Sequence, residues 1–180
     1  EGKGLAYRWA KAGYKVLIGS RSEERAVTAA SEIMELAEGS TSIVGTSNHE
    51  AAQLADIVVL TVPFAAHRET LESVKDVLKG KTLIDVTVPL VPPKVTKVQM
   101  PSAGSAAQEA KEIVGEGVEV VAAFHSISHE HLLKDDYVES EVLVTGTSKD
   151  ARGGVHRRAQ APRLLRRRGD PTVDSEAPAR

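Results

Sequence analysis

The sequence predicts an α/β fold built on a doubly wound parallel sheet. Three observations point there: short runs that are apolar throughout, such as Val16-Leu17-Ile18 and the centre of "DIVVLTVP"; amphipathic stretches between them; and glycine or proline at the joins. A strand apolar on both faces is buried on both faces, which a parallel sheet covered by helices provides.

Each element follows in turn. Leu5, Ala6, Trp9 and Ala10 share one face of an opening helix, and Gly13 stops it. Val16–Ile18 form a strand. Ser22 caps the next helix, Glu23 and Glu24 occupy its first turn, and Ala26, Ala29, Ala30, Ile33, Met34 and Ala37 make its buried stripe. "TSIVG" is a strand, and a short helix around residues 50–54 leads to "DIVVLTVP". The helix "AAHRETLESVKDVLK" precedes the strand "TLIDVTVPL"; a loop with prolines at 89, 92, 93 and 101 leads to the helix "SAAQEAKEIV" and the strands "VEVVAAF" and "EVLVTG".

Composition bounds the function. The chain has 180 residues, enough for one domain with a real core, and only 3% are aromatic, so Val, Ile, Leu and Ala must fill it. It has no cysteine, which excludes disulfides and thiolate metal sites and fits a reducing cytoplasm. No run is long and apolar enough to span a bilayer, so no membrane partner is expected. The net charge of −2 is unevenly divided: residues 151–180 hold eight Arg and three acids, leaving −7 on the first 150. An acidic body argues against nucleic acid as a partner.

Parallel sheets bind ligands at the carboxyl ends of their strands. Gly2 and Gly4 open the first helix, with Gly2 where the last glycine of a dinucleotide-binding turn would allow close helix–strand packing. The strand Val16–Ile18 runs into Gly19, Ser20 and Arg21, with Arg25 a helical turn on. A carboxylate here would accept bonds from both ribose hydroxyls and repel a 2′-phosphate; a serine hydroxyl and two guanidiniums do the reverse. The cofactor expected is therefore NADP(H) rather than NAD. Thr61, Val62, Pro63 and Phe64 end a later strand and suit a loop along the nicotinamide ribose and ring, although strand-to-loop punctuation reads the same way. Pro89 closes "TVPL" with the same ambiguity. His125, Ser126 and Ile127 follow the strand "VEVVAAF"; His125 is either scaffold or ligand contact. No metal site is expected, because no Asp, Glu or Cys pattern completes one around His129 and His131.

Together these strings resemble the reduced-F420:NADP oxidoreductase family, whose members begin with a strand and "GGTG" and continue much like "GKGLAYRWAKAGYKVLIGSRSEERA". The likeness continues through "ADIVVLTVPF", "LIDVTVPL" and "VVAAFHSIS" to about Ser148. It implies a Rossmann-type NADP-binding domain over 1–150, with its first strand missing. It implies hydride transfer between NADPH and the deazaflavin coenzyme F420, with Ser20, Arg21 and Arg25 at the 2′-phosphate and Gly2 in the fingerprint. Thr61–Phe64 and His125–Ile127 would lie where the two rings stack, with His125 a binder and no side chain indispensable as a proton donor. It also implies a homodimer if the C-terminal region were complete.

Residues 151–180 break the pattern. Four aliphatics (Val155, Leu164, Leu165, Val173) are too few to pack a helix onto the sheet, so an Arg-rich tail, disordered or frame-shifted, is expected there. Two other functions fit the same NADPH site: reduction of another acceptor, such as a flavin, metal chelate or imine, and a non-catalytic NADP-binding module.

Overall fold

The computed structural model describes residues 2–37, 43–90, 93, 97–134, 138 and 142–160. Helix α1 (Gly2–Lys11) is followed by strand β1 (Val16–Ser20) and helix α2 (Glu23–Leu36), which Ser22 caps by accepting the Arg25 N–H at 3.5 Å. Strand β2 (Ile43–Ser47) runs parallel to β1. Gly45 sits on β2 where a β-carbon would come within 2.3 Å of the Ala26 backbone, so glycine here lets α2 lie directly on the strand. Helix α3 (Asn48–Leu54), capped by Ser47, then leads to strand β3 (Ile57–Leu60).

A short 3₁₀ turn, Phe64–Ala66, enters helix α4 (His67–Val74). Strand β4 (Thr82–Asp85), helix α5 (Ala106–Val114, capped by Ser105), strand β5 (Glu119–Ala122) and the single-turn helix α6 (His129–Leu132) follow. The described chain closes with strand β6 (Thr145–Gly146) and helix α7 (Lys149–Gln160).

The strands make two sheets, β1-β2 and β3-β4-β5-β6. All pairings are parallel except β6, which lies antiparallel to β5. "EVLVTG" thus contributes a two-residue antiparallel edge rather than a parallel strand, an ending common on otherwise parallel sheets. Between β1 and β3 lies a slot of about 520 Å³, lined by Val16 and Ile18 on one side, Ile57 and Val59 on the other, and Leu5 and Trp9 of α1.

Helix α1 joins the two halves. Its Ala6, Tyr7 and Ala10 pack with Ala30, Ile33 and Ile43 over the β1-β2 sheet, whereas its Leu5 packs with Ile84, Val121 and Phe124 on the other. A third cluster, with Leu71, Leu78, Leu83, Ala110 and Val120, fills the opposite face of β3–β5 beneath α4 and α5. Arg8, buried, fastens the far side of α1: its guanidinium donates to the carbonyls of His131, Leu132 and Lys134 at the end of α6. The Leu132 carbonyl closes the helix, and the His131 carbonyl also accepts the Lys134 N–H at 3.4 Å.

One expectation is corrected. Residues 149–160 do form a helix packed on the sheet, with Ala151, Val155 and Ala159 buried in the cluster around Val121 and Phe124. Counting large aliphatics missed it, because two of its three contact residues are alanines, spaced i, i+4 and i+8 along one face. The Trp9 indole N–H donates to the Arg158 carbonyl at 3.1 Å, and the Arg152 guanidinium donates to the Gly146 carbonyl at 2.7 Å. Leu164, Leu165 and Val173, with the rest of 161–180, and Pro92 of the proline loop lie outside the described residues.

Candidate functional site

Ser20, Arg21 and Arg25 lie together where β1 ends and α2 begins. Ser20 closes the strand, and its hydroxyl oxygen accepts the Ser22 backbone N–H at 3.2 Å. That bond uses a lone pair and leaves the hydroxyl hydrogen free to be donated. Arg21, in the turn, and Arg25, in the first turn of α2, are both exposed. Neither guanidinium is paired with a carboxylate among the described residues. A fourteen-residue helix also presents its positive end here. Glu23 and Glu24, exposed in the same turn, oppose this in part.

Gly2 begins α1, and a β-carbon built on it would lie 2.6 Å from the Thr61 hydroxyl oxygen. The amino end of α1 is thus pressed against the carboxyl end of β3, and glycine is what permits it. Gly4 is buried one step further along. Thr61, Val62 and Phe64 are partly exposed and Pro63 is exposed, so the segment after β3 presents a surface.

The remaining sequence candidates divide. His125 and Ser126 are exposed at the turn after β5, whereas Ile127 is 3% exposed and packs into the core. Pro89 is buried, and its carbonyl accepts the Gln99 N–H at 2.9 Å. Pro89 and Ile127 therefore shape their loops from below instead of offering side chains to a ligand. The turn at His125 is set by Phe124, a non-glycine residue at φ 66°, a conformation costing of order 1–3 kcal/mol. Its ring is held edge-on to Trp9, centroids 5.9 Å apart.

A buried polar network was missed by the sequence reading. His67, fully buried at the start of α4, has Nε2 3.1 Å from Asp85 Oδ2 at the end of β4 and Nδ1 3.2 Å from Glu109 Oε1 on α5. The other Asp85 oxygen accepts from the Thr87 N–H at 2.9 Å and the Thr87 hydroxyl at 2.6 Å. The other Glu109 oxygen meets the Arg68 guanidinium at 3.3 Å. Burial pushes the His67 imidazole down, but the hydrogen bonds and charges of Asp85 and then Glu109 outweigh it, and its pKa lies above the ordinary value. An aspartate inside the apolar "TLIDVTVPL" was the available signal, since a buried carboxylate requires partners.

A family model described as NADP oxidoreductase, coenzyme F420-dependent, matches residues 1–89. The F420-dependent NADP reductase of Methanothermobacter marburgensis is 40% identical over 157 residues, covering 84% of this chain and 70% of that protein. The protein of the same description from Methanocaldococcus jannaschii is 34% identical over 159 residues, again covering 84% and 70%. Among solved structures, a putative F420-dependent NADP-reductase from Arthrobacter sp. FB24 superposes with a TM-score of 0.74 at 18% identity, covering 91% of this chain and 78% of that one. Pyrroline carboxylate reductase of Plasmodium falciparum with NADP bound superposes at 0.59 and 17% identity, covering 92% and 52%. These last two likenesses speak for the fold.

Proposed function

The chain belongs to the coenzyme F420-dependent NADP oxidoreductase family, and from that premise we propose that it passes a hydride between NADPH and F420. The observation that carries the NADP half is the grouping of Ser20, Arg21 and Arg25 at the β1–α2 junction, with both guanidiniums exposed and, among the described residues, without a carboxylate partner. A 2′-phosphate would receive charge-assisted bonds from both arginines, each kind worth roughly 1.5–3 kcal/mol, and a further bond from the Ser20 hydroxyl.

NADPH supplies a hydride from C4 of its nicotinamide, and F420 accepts it at C5. What the chain contributes is position and dryness. Gly2 and Gly4 keep the start of α1 clear for the pyrophosphate, and Thr61, Val62 and Pro63 line the nicotinamide ribose and ring. Phe64, His125 and Ser126 face the deazaflavin, on loops supported by Pro89 and Ile127. Hydride transfer between stacked rings needs proximity and exclusion of water more than an acid or base, so no side chain acts as an indispensable proton donor.

The test is spectrophotometric. NADPH added to the protein with oxidised F420 should bleach the deazaflavin absorbance; NADPH binding without bleaching would refute the reaction. We assign the enzyme to the cytoplasm, supported by its lack of cysteine, and to a homodimer where the C-terminal region is complete, as the family resemblance implies.

A further inference from the structure

We propose that His67 stands as a buried imidazolium, donating one ring N–H to Asp85 and the other to Glu109, and that this bridge positions the loops at the ends of β3 and β4. The second half rests on the functional reading above; the first does not.

The geometry calls for a proton at each of the two contacts. A neutral imidazole has one N–H and one lone pair, yet both His67 nitrogens face carboxylate oxygens, at 3.1 and 3.2 Å, inside the core. In the neutral form one nitrogen lone pair would point at a carboxylate with no proton between them. Each carboxylate is also committed as an acceptor elsewhere. Asp85 receives two bonds from Thr87, and Glu109 receives the Arg68 guanidinium. Two anions and two cations thus close a neutral set shared by α4, β4 and α5. The titratable side chains of neighbouring α3 are engaged elsewhere: His49 with Asp76 at 3.1 Å, and Glu50 with the Thr46 hydroxyl.

What the bridge holds is the end of the sheet. His67 closes the 3₁₀ turn after Pro63, and its ring lies 5.4 Å from that of Phe64, tilted by 30°. Asp85 is the hub on the other side. Its side chain fixes Thr87, and its carbonyl accepts the Ala123 N–H at 3.3 Å, just before the Phe124 turn that carries His125. The Val86 N–H returns to the Leu60 carbonyl, beside Thr61. The imidazolium therefore links the turn after β3 to Asp85 at the end of β4, whose backbone in turn pairs with β5 just before the Phe124 turn, without reaching the reacting atoms.

Ring-nitrogen NMR of the protein at about pH 7.5, one unit above the ordinary imidazole value, should show His67 with protons on both nitrogens. A neutral tautomer there would overturn the proposal. His67→Gln should lower kcat for F420 reduction about 10- to 100-fold, as sub-ångström to ångström misplacement does, while KM for NADPH changes less than about threefold. An unchanged kcat would sink the positioning role. Should His67→Gln fail to fold, Glu109→Gln removes one of the two anions and should move the alkaline fall of kcat to lower pH; a profile that stays put would equally count against the bridge. If the wild-type protein gives no F420 turnover, the functional reading fails, and the ring-nitrogen spectrum still decides the imidazolium.

Discussion

Gly2 and Thr61 touch: no β-carbon fits at Gly2 without coming within 2.6 Å of the Thr61 hydroxyl oxygen. Gly2→Ala should therefore destabilise the protein by about 1–3 kcal/mol, the usual cost of overpacking. The obstacle is a side-chain oxygen rather than backbone, so Thr61→Ala in the same molecule should recover most of the loss. Urea unfolding of the two single variants and the double variant checks this, and additive losses would show that the contact does not set the distance between α1 and β3.

Arg21→Ala should weaken NADPH about 10- to 100-fold and leave NADH nearly untouched, since only NADPH carries the 2′-phosphate. Titration calorimetry with both nucleotides measures the difference. Equal loss for both would place Arg21 against some other part of the molecule. Adding Arg25→Ala should bring the two affinities closer still.

The buried imidazole links stability to alkaline pH. Because the folded pKa of His67 is raised, its stabilisation is fully present below the unfolded value of about 6.5 and is lost as pH rises through the folded one. Wild-type stability should fall from neutral into alkaline conditions, and His67→Gln should flatten that slope. At the acid end the sign reverses. Asp76, lowered chiefly by its bond from His49, and Glu119, lowered by bonds from Thr147 and Ser148, lose their contribution as pH falls through their folded values. Denaturant midpoints across the pH range test both limbs.

Helix α7 offers a sharp contrast between two neighbours. Val155 is 1% exposed among Ala151, Ala159 and the sheet, whereas Arg157 is exposed. Val155→Ala should cost about 2 kcal/mol, two methyl groups plus a small cavity, and Arg157→Ala no more than about 0.5 kcal/mol. Equal, negligible effects would mean the helix does not belong to the core.

What was legible in the sequence was local. Ser20, Arg21, Ser22 and Arg25 lie within six residues, so a strand end and a helix cap place them together whatever the rest of the chain does. Strand order, by contrast, is decided by pairing across the sheet, and nothing in "EVLVTG" announces an antiparallel edge. The His67 bridge spans 18 residues to Asp85 and 42 to Glu109; Asp85 stands out inside its apolar strand, but His67 and Glu109 read alone as ordinary surface residues until three elements converge. In α7 the small residues misled, because alanine contributes little to a count of apolar bulk and much to how closely a helix can approach.

Among the described residues, no strand ladder joins the β1-β2 sheet to the β3–β6 sheet. The proposed phosphate clamp belongs to one sheet and the proposed ring-facing loops to the other, so a dinucleotide held at both ends would span the division. Bound that way, the coenzyme is a strut between two plates as well as a reagent. It contributes stability of about 2.7 kcal/mol at a hundred times its dissociation constant. The contacts proposed to hold NADPH would in that way also add to the stability of the fold.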